Sequence, residues 1–115
     1  MDVQPRATDD PTSVTLVTVA ELHGYVPEHY LGLVQGSAAT ASEAVQNLEQ
    51  RALIRARRVQ AEAARRRIAA GGTYVVLGLN ITAGINASGQ PVWVAYGTLA
   101  RGYRANSRPP AGRDS

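Results

Sequence analysis

Residues 41–70, ASEAVQNLEQRALIRARRVQAEAARRRIAA, read as one long amphipathic helix, and this segment constrains the fold more than any other. Turning each position by about 100° gathers Val45, Leu48, Ala52, Ala56, Val59, Ala63 and Ala70 into one narrow sector. Its small side chains permit close approach, so this is the face expected against a sheet. A second sector carries Leu53, Ile54, Ala61, Ala64 and Ile68, interrupted by Arg57. One small sheet cannot bury both sectors, which makes the second the expected interface of a homo-oligomer. The third sector holds Arg51, Arg55, Arg58, Arg65 and Arg66. Glu62 lies four residues from both Arg58 and Arg66, a spacing suited to exposed ion pairs worth roughly a few tenths of a kcal/mol. Length gives the same expectation of a neighbour. At about 1.5 Å per residue the helix runs about 43 Å, whereas a strand over 92–100 covers about 30 Å.

Local signals fix the elements on either side. Thr40 is the expected N-cap, Glu43 completes a capping box, and Gly71-Gly72 ends the helix. Upstream, the β-branched run Ser13 to Leu22 reads as a strand, and a second extended piece is expected over His29 to Ser37 after a turn region at Gly24 and Pro27. Downstream, strands are expected over Thr73 to Ala83 and Pro91 to Arg101, joined by the turn-forming GINASGQ. Ala95 and Gly97, beside Trp93 and Leu99, give the last strand a shallow surface for the helix. The fold class is therefore α+β: an antiparallel sheet with one long helix packed on it, over residues 14–101. Residues 1–13 and the Arg/Pro-rich 102–115 are expected to be disordered tails.

The 115 residues suffice for one domain with a modest core, and 44% apolar against 18% charged residues is globular composition. No apolar run approaches the roughly eighteen residues that cross a bilayer, and MDVQPRATDDPTS lacks the basic-then-apolar order of a signal, so no membrane partner and a cytoplasmic location are expected. Cysteine is absent, which excludes disulfides, thiolate catalysis and thiolate metal sites. All twelve basic residues are Arg, and seven of them fall in 42–70 against three Glu, so the net charge of +3 belongs to the helix.

Catalytic patterns are missing. Gly71-Gly72-Thr73 is too short for a phosphate loop and follows a helix, where it meets the negative end of the dipole. Ser37 and Ser88 lack a G-x-S-x-G setting, and neither His23 nor His29 has an evident acid partner. The chain is expected not to be an enzyme. Nucleic-acid association through the Arg51, Arg55, Arg58, Arg65 and Arg66 face is the alternative. Glu62 within the stripe and the lack of a helix-turn-helix or stacking-aromatic pattern favour a solvated face or subunit contact.

Several short segments resemble the YbjQ family. GTYVVLGL at 72–79 is similar to that family's GADAVVGV stretch, and the strand reaching Gly97-Thr98 is similar to its G-T-A-V signature. Gly24-Tyr25 and LGLVQGSA at 31–38, with Gly32 and Gly36, resemble its G-Y and L-G-x-V-x-G segments. The likeness spans about 15–101 in the family's order. Tyr74 stands where an acidic residue is usual, and Leu99 departs from G-T-A-V. The resemblance implies a small α+β fold assembling as a homo-oligomeric ring, with a pentamer favoured, and a heavy-metal-binding label. Ligands available for such an ion are Glu21, His23, Glu28 and His29. Imidazole and carboxylate donors suit a divalent ion such as zinc or nickel, held at subunit junctions.

Overall fold

The computed structural model describes residues 11–67 and 72–104. Five elements follow in chain order: β1 (Thr15–Leu16), β2 (Tyr25–Ala38), α1 (Ala41–Arg65), β3 (Thr73–Ile85) and β4 (Pro91–Arg104). The strands form one sheet in the order β1-β3-β4-β2, with α1 lying across one face and running back along β2. The α+β class holds, and the antiparallel pairs β3–β4 and β2–β4 make up most of the sheet. The sheet is mixed rather than wholly antiparallel, because β1 pairs parallel to β3 at Thr15↔Val75 and Leu16↔Val76.

The expected first strand, Ser13 to Leu22, is cut short. Val17 and Val19 still bond the β3 main chain, through Val17 N to Val76 O, Leu79 N to Val17 O and Gly78 N to Val19 O. Val17 and Leu22 then pack on Tyr25, Val75, Leu77 and Ala100, so this segment covers part of the sheet face opposite the helix. Burial of apolar side chains outweighs continued strand pairing here.

Helix α1 starts as the capping signal predicts: Thr40 is extended, and its hydroxyl accepts from Glu43 N at 3.2 Å. Its buried face comprises Ala44, Leu48, Ala52, Ala56, Gln60 and Ala63. That is the expected sector displaced slightly, with Ala44 and Gln60 inside and Val45 and Val59 only half-buried. Ala70 lies outside the described residues. Gln60 is tolerated because Tyr74 donates its hydroxyl to Gln60 Oε1 at 2.9 Å, pairing two polar groups at the end of the core. Val34, Val76, Ala95 and Leu99 complete the layer under the helix.

Lengths reverse the expected overhang. Strands of 13 and 14 residues extend about 43 to 46 Å, whereas the 25 residues of α1 span about 38 Å. It is the sheet that outruns the helix. The domain is accordingly elongated, 57 × 31 × 25 Å. β4 continues to Arg104, three residues beyond the expected end at Arg101, and pairs there with the start of β2 at Tyr25.

Two glycines make this geometry possible. A Cβ on Gly36 would lie 2.7 Å from Ala44 O and closer still to Leu48 N, so the helix rests directly on the β2 backbone. Gly78, at φ +66°, sits in a bulge where Gly78 and Leu79 oppose Gly97 alone, between the pairs Leu77↔Thr98 and Asn80↔Tyr96. The extra residue switches which β3 side chains share the helix side, from Tyr74 and Val76 to Ile81, Ala83 and Ile85. Gly36→Ala is expected to lower stability by about 1–3 kcal/mol or more, read as a fall in the denaturant midpoint. An unchanged midpoint would show that the helix does not touch β2 at this point.

Candidate self-association surface

The residues singled out in the sequence do not converge. Glu21, His23, Glu28 and His29 are all exposed, and among the described residues no three His, Asp or Glu side chains gather where they could hold a metal ion. The donor set of one subunit therefore does not fit a metal. Glu21 instead borders an open cleft of about 200 Å³ lined by Leu22, Tyr25, Pro27, Tyr30 and Leu77. Tyr25 donates its hydroxyl to Thr73 O at 2.9 Å. Burial pushes its pKa up to about 12, Tyr30 and Glu28 add to the rise, and the Arg101 guanidinium opposes it. Burial raises Tyr74 likewise, again against Arg101, which hydrogen-bonds the same side chain.

The arginine stripe divides. Arg51, Arg58 and Arg66 are exposed, while Arg65 pairs with Glu62 one turn back, so the acid takes its i+3 neighbour rather than the expected i±4 partners. Arg55 turns to the protein itself. Its Nη1 donates to Leu33 O at 2.8 Å and to Leu31 O at 3.3 Å. Asn47 Nδ2 donates to Ser37 O at 2.9 Å in the same way. Arg57, which interrupts the second apolar sector, donates from Nε to Pro11 O at 3.1 Å.

The second apolar sector of the helix is also split. Leu53 packs against the core of its own chain and Ala64 is half-buried, whereas Ile54 is 54% exposed and Ala61 is exposed. Ile68 lies outside the described residues. The expected second face is interrupted at Leu53, which is half-buried against the core because α1 lies toward β2 instead of centring on β4. Surplus apolar surface lies elsewhere, on the outer half of the β3–β4 hairpin.

Every residue from Asn80 to Pro91 is exposed. Ile81 and Ile85 are 40% and 76% accessible, and a shallow groove of about 290 Å³ runs along the arm between Thr82, Gly84, Ile85, Val92 and Val94. No Asp, Glu, Arg or His occurs between Arg67 and Arg101. That charge-free run was the available sequence signal for this surface, and hydrophobic periodicity passes over it. Exposed strands in soluble proteins are normally interrupted by charge, Pro or a covering element.

The two long edges of the sheet differ in their main-chain bonding. Asn86 N donates to Gln90 O across the turn, and the next pair, Ile85↔Pro91, has no proline N–H to offer. Alternation along an antiparallel ladder then aims the main-chain groups of Asn80, Thr82 and Gly84 at β4 and those of Ile81, Ala83 and Ile85 outward. The same alternation across β4 aims Val34, Gly36 and Ala38 inward and leaves Leu33, Gln35 and Ser37 on the free side of β2. Arg55 and Asn47 occupy the carbonyls of Leu33 and Ser37 there, so side chains of α1 take up two of the outward acceptors of the β2 edge. Among the described residues, no main-chain group bonds the outer side of β3 beyond Leu79.

No protein-family model matches the chain, and no curated protein matches it. The surface therefore has to be read from its own chemistry.

Two expectations follow. Arg55→Ala is expected to cost about 1–3 kcal/mol by stripping a charged donor from two β2 carbonyls, a loss measurable in denaturant and absent if those bonds are only incidental. For Tyr25, the folded pKa of about 12 exceeds the ordinary value of about 10. Its contribution to stability is thus complete below pH 10 and is lost as pH rises from about 10 through about 12. Tyr25→Phe should flatten the alkaline decline of the melting temperature, and an identical decline in both proteins would remove Tyr25 as its source.

Proposed function

We propose that this protein is a non-enzymatic, self-assembling module of the kind that the YbjQ resemblance implies, and that copies join through the outer β3–β4 arm. The observation that carries this reading is the arm itself: exposed from Asn80 to Pro91, rich in apolar side chains, open along the outer edge of β3 and without a single charge. Beyond Ala83 and Trp93, where β2 ends at Ala38, the arm is two-stranded. Such a ribbon is marginal in water, and burial against another copy gives it a further layer or strand. The glycine positions of the resembling segments support the reading too. Gly36 permits the helix to rest on β2, and Gly97 stands where a Cβ would come within 2.6 Å of Val76 Cγ1. Two of the glycines that carry the likeness thus fall at points of close approach.

No helix among the described residues is long and apolar enough to cross a membrane, so a bilayer does not supply the missing cover by a helical span. With the metal donors scattered, the reading rests on assembly rather than on a bound ion. Sedimentation of the full chain over a wide concentration range is expected to show a defined assembly. Ile81→Lys combined with Ile85→Lys places charge on the arm without touching a fully buried residue, and is expected to give the single-chain mass with an unchanged circular dichroism spectrum. A wild-type protein that sediments as a single chain at every concentration, or a variant that assembles unchanged, would overturn the proposal.

A further inference from the structure

The geometry of the two edges points to a more specific partner. We infer that two copies pair β3 with β3 in antiparallel fashion about a two-fold axis at Ala83, joining their sheets into one. This inference rests on the self-assembly proposed above and names its register.

Three observations lead to it. First, among the described residues the outward main chain of β3 at Ile81, Ala83 and Ile85 meets no partner, whereas on β2 Arg55 and Asn47 already hold the carbonyls of Leu33 and Ser37. A ring built by adding edge to edge needs two different complementary edges on each subunit, and the β2 edge here has two of its acceptors taken. The β3 edge is better matched by another β3 edge. Such pairing joins two sheets, and a larger assembly would use further surfaces.

Second, the open segment is self-complementary. Outward main-chain groups recur at Ile81, Ala83 and Ile85, so an antiparallel pairing centred on Ala83 lets Ala83 exchange both hydrogen bonds with Ala83 of the other copy. Ile81 of each copy then stands opposite Ile85 of the other. Cross-strand pairs of β-branched side chains are favourable in a sheet, and the small side chain of Ala83 avoids crowding at the axis. Thr82 faces Gly84 on the opposite side, and the segment holds no charge to oppose its own image.

Third, the ends fit. β3 finishes at Ile85 and the chain turns at Asn86 toward its own β4, so the incoming strand departs before it reaches Leu79. Leu79 N is already bonded to Val17 O, which sets the other limit of the open edge. β2 begins and β4 ends at the far end of the sheet, beside Thr73 and Gly102, away from the axis.

The chain has no cysteine, so a single introduced thiol reports the register. In a hydrogen-bonded antiparallel pair the opposed Cα atoms lie about 5.5 Å apart, inside the range that a disulfide spans. Ala83→Cys in the full chain, under mild oxidation, is expected to convert most of the protein to a disulfide-linked dimer that keeps the native circular dichroism spectrum. Ser88→Cys, at the turn and far from the axis, is expected to cross-link far less. Ala83→Pro removes one outward N–H and no bond to β4, and is expected to abolish the dimer mass while the chain stays folded. Efficient cross-linking at Ala83→Cys only, with loss of the dimer in Ala83→Pro, supports the pairing. Assembly without preferential cross-linking at position 83 overturns this register but leaves the self-assembly reading standing. A wild-type protein that is a single chain throughout overturns both.

Discussion

Main-chain N–H and C=O groups along a sheet edge demand partners, and in this protein the two edges meet that demand differently. On β2 the helix supplies part of it: Gly36 lets α1 lie against the strand, and Arg55 and Asn47 reach the outward carbonyls of Leu33 and Ser37. On β3 the N-terminal segment supplies it only as far as Leu79. The remainder of β3, together with its turn and the start of β4, extends past the helix as an exposed ribbon. The place of the surplus apolar surface, and with it the direction of the proposed assembly, descend from this asymmetry.

Charge distribution reinforces it. The helix and the two residues after it hold seven of the twelve arginines, while the hairpin carries none between Arg67 and Arg101. In the proposed assembly a cationic helix face would oppose the approach of a copy on one side of the molecule, and the neutral arm would leave nothing to repel one on the other. Within this division Arg55 has changed role. A residue that reads as part of a phosphate-binding stripe serves the backbone of its own sheet, where the two N–H groups of Nη1 meet two carbonyls spaced by one strand repeat.

Much of the architecture was legible in the sequence. Thr40 and Glu43 located the helix start, and the extended segments expected over 29–37, 73–83 and 91–101 fall on the three long strands, because capping and strand signals are local properties. The β-branched run over 13–22, in contrast, keeps only Thr15–Leu16 as strand. The parallel pairing of β1 was not legible, since it depends on where Val17 and Leu22 find apolar cover. Strand ends were underestimated for a related reason. Gly84, Ile85 and the stretch from Gly102 to Arg104 owe their extended form to partners across the sheet, not to their own propensity. The surplus of apolar surface was legible, but its place was not. Leu53 resembles a spare residue on a helical wheel, and only the lateral position of α1 over β2 decides that it is half-covered. The metal-ligand set illustrates the limit of counting residues: Glu21, His23, Glu28 and His29 are near in sequence, yet no group of three among the described residues comes together.

Hydrogen exchange at individual amides of the hairpin addresses the central claim most directly. If copies pair through β3, the amides of Ile81, Ala83 and Ile85 exchange rapidly in dilute solution and become protected together as concentration rises. Those of Thr82 and Gly84, already bonded to β4, respond less. Rapid exchange at Ile81, Ala83 and Ile85 at every concentration would contradict the account.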